Sequence, residues 1–273
     1  MVTKYSDGFR LDLNMEEILG EILLLVSLSI IAALYASVGH GGASGYLAIL
    51  SLTAYAANDP AWLKQHAWSL NLVVAGIAYL SFRKSGFVDY KLAIPFVITS
   101  IPAALLGGYL RVDDGIYDTL LSITLVFAAW KLYNSKKVAV DDVNSGPPSV
   151  YVSLLIGGII GFLSGIIGVG GGIFLSPIIL LFGWSDAKTT AGVAAIFIWV
   201  NSAAGLVGSS ISGQLVIDVG VLIPFIVAVL IGGFIGSKLG SEKFSQNVVR
   251  NTLVSVMLIA AVKQIIELLG LWF

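Results

Sequence analysis

Two runs decide how this sequence is read: Ser37-Val38-Gly39-His40-Gly41-Gly42-Ala43-Ser44-Gly45 and Gly165-Ile166-Ile167-Gly168-Val169-Gly170-Gly171-Gly172. Each interrupts an otherwise apolar stretch, at the same place in its half of the chain. Glycines that serve close helix packing in lipid recur as small-xxx-small, and that is the plain alternative here. A dense Gly-x-Gly-Gly cluster instead marks a bend in the backbone. Where a bend feeds a new helix, several N–H groups have no partner and the positive end of the helix dipole is exposed. Such backbone cannot face hydrocarbon; it must be buried in protein or line a cavity.

The surroundings of both runs are those of a membrane protein. Of 273 residues, 57% are hydrophobic and 11% charged, with 31 glycines and a mean hydropathy of +0.94. A soluble domain carries roughly 25% charged residues. A bilayer span needs about 20 mostly apolar residues, and apolar segments cover approximately 18–38, 43–57, 66–82, 91–110, 116–133, 150–167, 172–183, 189–208, 217–239 and 248–271. One long polar linker, 134–149, with its Gly146-Pro147-Pro148 break, divides them into two sets of five. The expected organisation is an N-terminal segment 1–17, a first membrane repeat 18–133, the linker 134–149 and a second repeat 150–273. The N-terminal segment is acidic and lacks a basic region before an apolar core, so no cleaved signal peptide is expected. Cysteine is absent, which removes disulfides and thiolate metal sites. A net charge of −1 gives no hint of nucleic acid, and neither a metal nor a cofactor is implied.

A shift of 129 residues places Gly39, Gly41 and Gly42 on Gly168, Gly170 and Gly171. It also places Gly76 on Gly205, Asp89 on Asp218, Pro95 on Pro224, Gly107 on Gly236 and Leu110 on Leu239. Five segments is an odd number, so the second copy enters the membrane upside down. If segments alternate sides, Arg83, Lys84, Lys91, Lys131, Lys136, Lys137, Lys188, Lys238, Lys243 and Arg250 share one face; Lys4, Arg10, Lys64, Arg111 and Lys263 share the other. The excess puts the linker in the cytoplasm and both termini outside. The fold expected is an all-α polytopic protein of two inverted-topology repeats, a plan that places a transporter's site near the midplane. The 172–183 leg, at about 18 Å, is too short to cross a ~30 Å core. The first two segments of each half are therefore expected to form hairpins that bend inside the membrane and meet.

Two helix starts facing one another make an anion cradle without a cationic side chain. The expected binding residues are Gly39, His40, Gly41, Gly42, Ala43 and Ser44 with Gly168, Val169, Gly170, Gly171 and Gly172. Asn71 and Asn201 are added as amide donors, or as glue between helices. Trp68, Ser69, Trp199 and Ser202 stand beside them, and Thr189 and Thr190 are caps or entrance ligands. None of the sixteen Asp and Glu residues falls in mid-segment, whereas a cation carrier would be expected to hold buried carboxylates. Asp89 and Asp218 precede apolar runs as N-caps would. His40 could pass protons or serve as a satisfied donor; His66 is expected at the outer interface.

These bends, with the duplicated Pro95 and Pro224 helices ending in Gly107-Gly108 and Gly232-Gly233-x-x-Gly236, resemble the TauE/SafE family of sulfite exporters and organo-sulfur anion permeases. The resemblance runs from about residue 20 to 270 and implies export of sulfite or a similar oxyanion by alternating access across a prokaryotic plasma membrane. It implies a small anion and the lipid bilayer as partners, with a second copy as a candidate. Absent cysteine speaks against relatives with cysteine-lined thiosulfate pathways. Two rival readings are an anion channel with the same glycine-lined site and an intramembrane serine hydrolase, in which Gly42-Ala43-Ser44-Gly45 holds the nucleophile and His40 or His66 the base.

Overall fold

The computed structural model describes residues 15–50, 52–111 and 146–256, and within them the chain is helical, without strands. The elements are α1 (Met15–Ala36), α2 (Ala43–Leu50), α3 (Pro60–Lys84), α4 (Tyr90–Tyr109), α5 (Val150–Ile167), α6 (Gly172–Leu181), α7 (Ala187–Ile211) and α8 (Val219–Lys238). A single wide turn, Leu239–Lys243, follows α8, and residues 246–256 are again helical. The expected segment 116–133, most of the linker and the end of the last segment lie outside the described residues. The chain is a multi-pass membrane protein: α1, α4, α5, α7 and α8 are each long and apolar enough to cross a bilayer.

Helix starts are set by capping side chains at the segment ends. Asp59 accepts from the Ala61 amide at 2.7 Å, ahead of Pro60 at the first helical position. Asp89 accepts from Lys91 and Leu92, and Asp218 from Gly220 and Val221, so this duplicated pair caps helices. Asp186 takes the Thr189 amide and hydroxyl, both at 2.9 Å, which makes Thr189 part of a cap rather than of an entrance. The boundaries differ from the expected ones where polar residues open a helix. α1 begins at Met15, inside the expected N-terminal segment, and α3 begins six residues before the apolar run at 66.

Among the described residues, helices on the two sides of the linker pair off in order and length. α4 and α8 are 20 residues each and begin 129 apart, at 90 and 219. α3 and α7 are 25 residues each but begin 127 apart, at 60 and 187, because the α7–α8 loop is longer than the α3–α4 loop. Contacts are exchanged between the halves: α1 packs on α8 and α4 on α5, while α3 packs on α8 and α4 on α7. α3 and α7 pack against each other. There Trp68 packs where a Cβ on Gly205 would sit, and Trp199 where one on Gly76 would sit.

Glycine stripes seal the outer contacts. A Cβ on Gly157, Gly161 or Gly165 of α5 would run into the α4 backbone at Phe96, Ser100 or Ala104. A Cβ on Gly232 or Gly236 would strike the α1 backbone at Ser29 or Ala33, and one on Gly240, in the turn after α8, would strike the Ser37 backbone just beyond α1. These are small-xxx-small faces, which in lipid let backbones meet where no hydrophobic force would bring them together. Gly165 thus belongs to helix packing and not to the bend it precedes.

Polar side chains tie the α7–α8 loop to α3. The Gln65 amide donates to Gln214 O at 2.7 Å and accepts from the Val216 amide at 2.6 Å. His66, buried within the protein, bonds to Trp62 O at 2.8 Å and accepts the Asp218 N–H at 3.2 Å. Lys64 and Lys188, both counted above as loop charges, are buried within α3 and α7. Gly161→Leu and Gly236→Leu should each lower the melting temperature of the detergent-purified protein by several degrees, since overpacking costs about 1–3 kcal/mol. Gly20→Leu, where nothing lies within 4 Å, should leave it unchanged.

Candidate anion site at two glycine bends

α1 ends because Gly39 does what an L-residue rarely can. Its φ is +75°, and the His40 amide reaches back to Tyr35 O at 2.9 Å while the Gly39 amide meets Ala36 O at 3.1 Å. That double closure on a left-handed glycine is a Schellman end. α5 ends likewise at Gly168, with φ +92° and its amide on Ser164 O. Gly42, Gly170 and Gly171 also have positive φ, and α2 and α6 restart at Ala43 and Gly172. Ala43 needs no glycine, because it already has helical geometry; Gly172 is small because Ile198 presses on it.

The restarted helices are short: 8 residues in α2 and 10 in α6, about 12 and 15 Å. α1 carries Glu16, Glu17 and Glu21 in its first two turns, so its apolar part, 22–36, is about 22 Å long. Each bend is buried: residues 35–47 in the first and 164–177 in the second show no exposed position.

The bends meet between α3 and α7. Asn71 touches both: its Oδ1 accepts the Ala43 amide at 3.0 Å, and its Nδ2 lies 2.7 Å from where a Cβ on Gly170 would sit. A Cβ on Gly41 would overlap the same side chain. Asn71 Nδ2 also donates to Ser202 Oγ at 3.3 Å. The first bend rests on the other half's α7, Gly39 against Ala191; the second rests on α3, Gly168 against Lys64. His40 lies beside Gly172 and pairs with Ser176 Oγ at 3.4 Å. Its Nδ1 sits 2.9 Å from Val38 O and so must carry the hydrogen; Nε2 then accepts from Ser176. This satisfies a neutral ring.

The two asparagines are not equivalent. By their places in α3 and α7, Asn71 corresponds to Ile198, and both press on their own half's bend. Asn71 is engaged as an external cap of α2. Asn201 is fully buried, and neither side-chain atom has a partner. It lies one turn from Phe197, which packs on Gly171, and one turn from Gly205, which packs on Trp68. Trp68 Nε1, Ser164 Oγ beside Gly171 and Tyr46 OH beside Gly42 are also buried without partners. Leaving such a group unmet costs about 1–3 kcal/mol, yet four side chains around the bends do so. Each can donate a hydrogen bond. The amides of Gly41, Gly42, Gly170 and Gly171 also make no bond to the described residues.

Other expected residues go elsewhere. Trp199 is 42% exposed and stacks on Tyr79, and Ser69 bonds back to Gln65 O on its own helix. Thr190 is buried without a partner. Ser44 pairs with the Tyr35 hydroxyl at 2.9 Å and with no histidine, so the nucleophile–base pair of a hydrolase is not assembled there. Tyr46, Ser164 and Lys64 escaped the sequence reading. Ser164 and Tyr46 flank the glycine runs at helical spacing, a signal that points to them only once the bends are known. Among the described residues no Asp or Glu is buried, whereas Lys64 and Lys188 are.

The chain is similar to proteins described as probable membrane transporters along most of its length. It is 34% identical over 244 residues to a probable membrane transporter protein, y4hK, of Sinorhizobium fredii, covering 88% of this chain and 96% of that one. It is 26% identical over 204 residues to the probable membrane transporter protein YunE of Bacillus subtilis, covering 68% and 71%. No solved structure matches. The family model described as sulfite exporter TauE/SafE matches residues 23–264. The chain belongs to the TauE/SafE family of membrane transporters.

Proposed function

We propose that the protein is a secondary carrier that exports a small sulfur-containing oxyanion, sulfite or an organosulfonate, across the plasma membrane by alternating access. One observation carries the reading: two glycine bends, one from each half, meet at Asn71 amid buried donors that have no protein partner. Neutral N–H and O–H groups without carboxylates suit an oxyanion and penalise a cation. The family description supplies sulfite as the first substrate to try.

The exchanged contacts of the halves support an inverted repeat, in which the linker is cytoplasmic and both termini are outside. Rocking one repeat against the other would then open the shared site alternately to each side. Burial of both bends supports a carrier over an open pore, since a carrier passes through a state closed to both faces.

Sulfite, sulfate, thiosulfate, sulfoacetate and chloride should be compared by thermal shift on the purified protein. A true substrate at a hundred times its Kd stabilises the fold by about 2.7 kcal/mol, so a clear rise in melting temperature is expected with sulfite or sulfoacetate. A flat response to all five would reject the reading. The two asparagines separate binding from architecture. Asn201→Leu should abolish the ligand-induced shift, while leaving the ligand-free melting temperature unchanged or raised, because an unmet buried amide is removed. Asn71→Leu should lower the ligand-free melting temperature, because the α2 cap and the link to Ser202 go with it. Equal effects of the two variants would refute the assignment.

A further inference from the structure

We propose that the Lys64 ammonium is the counter-charge for the bound oxyanion, and that it makes the carrier prefer doubly over singly charged anions. The proposal rests on the anion-carrier reading and adds the charge class of the substrate. Lys64 is 5% exposed and lies one turn inside α3. Its stem crosses the second bend: the Lys64 Cβ lies 2.6 Å from where a Cβ on Gly168 would sit. Its Nζ lies 5.5 Å from the centre of the Trp68 ring. Trp68 carries one of the unpaired donors, and Asn71 follows it by one turn along the helix.

A charged side chain packed largely inside the protein normally has an acidic or carbonyl partner. Lys64 makes no hydrogen bond or ion pair with the described residues. The carboxylate that starts its own helix, Asp59, is exposed and caps the Ala61 amide. The other buried lysine provides the contrast. Lys188, 8% exposed, donates from Nζ to Ser241 O at 3.1 Å and lies over the Phe87 ring at 4.8 Å. Lys188 closes the carbonyl end beyond α8. Lys64 has the face of an indole, a weak substitute for an anion, and the charge of the exposed Asp59 carboxylate at the start of its helix.

The charge is also single. By helix position the counterpart of Lys64 in α7 is Ala191, which packs on the first bend. One ammonium therefore stands on one side of a site otherwise lined by neutral donors. Each added negative charge on the ligand adds a further attraction to that ammonium, screened by an effective dielectric of about 20 but stronger than in bulk water. Nothing acidic among the buried described residues opposes it.

Sulfate and methanesulfonate, nearly equal in size, carry two charges and one. Their affinities for the full-length protein in detergent should differ at least about tenfold in favour of sulfate. Lys64→Gln should bring the ratio near one, chiefly by weakening sulfate, and Lys64→Arg should keep the preference. A wild-type ratio near one or below overturns the proposal by itself, even if a variant fails to fold. A ratio that survives Lys64→Gln overturns it too, because a lysine that only packs would weaken both anions alike. If wild-type protein binds neither anion the proposal falls, whereas the carrier reading is judged separately by the five-anion panel.

Discussion

Unpaired backbone inside a membrane must be hidden from lipid, and that requirement organises this molecule. The α1–α2 and α5–α6 breaks leave amides without helical partners in positions buried inside the protein. Both breaks are therefore enclosed between α3 and α7. Enclosure requires the bends to approach other backbones and the Asn71 side chain closely, and this is why they are built from glycine. The outer helices in turn must wrap tightly around that pair. The α5 and α8 glycine stripes allow that.

Charge is sorted by the same requirement. Asp59, Asp89, Asp186 and Asp218 all sit at helix starts, where amides need acceptors and the dipole favours a carboxylate. None reaches the bends. The polar groups that do enter the interior are of two kinds. Some are consumed in architecture: Asn71 on α2, Gln65 and His66 on the α7–α8 loop, Lys188 on the carbonyls beyond α8. Others, around the second bend and Trp68, are left with nothing to bind. Unspent donors beside a broken helix are what a binding site would need and a packing joint would not. This is the physical basis for reading an anion carrier within the TauE/SafE family.

Much of the architecture was legible from residue order. α5 spans 150–167 as its apolar run indicated, and the Asp89 and Asp218 caps lie where the 129-residue shift paired them. The two bends break where glycine clusters. α3 was harder to delimit, because Pro60 to Gln65 is polar enough to pass for a loop. Its burial depends on partners 149 and more residues away, Gln214 and Val216 among them. The asparagines were paired too closely for a similar reason. The longer α7–α8 loop shifts the third helices out of the 129-residue register, and no composition pattern announces it.

Residue order alone determined the membrane class, the described helical segments in outline and the two interruptions, because each depends on local hydrophobicity, capping or glycine's backbone freedom. Tertiary structure decided which polar side chains are spent and which are left over. Lys64 and Lys188 are the same residue type on corresponding inner helices, yet Lys188 donates to a carbonyl while Lys64 makes no hydrogen bond to the described residues and lies over an indole face. Asn71 and Asn201 divide in the same way. A hydrogen bond's partner is a matter of where distant segments come to rest, and a linear pattern carries no record of that.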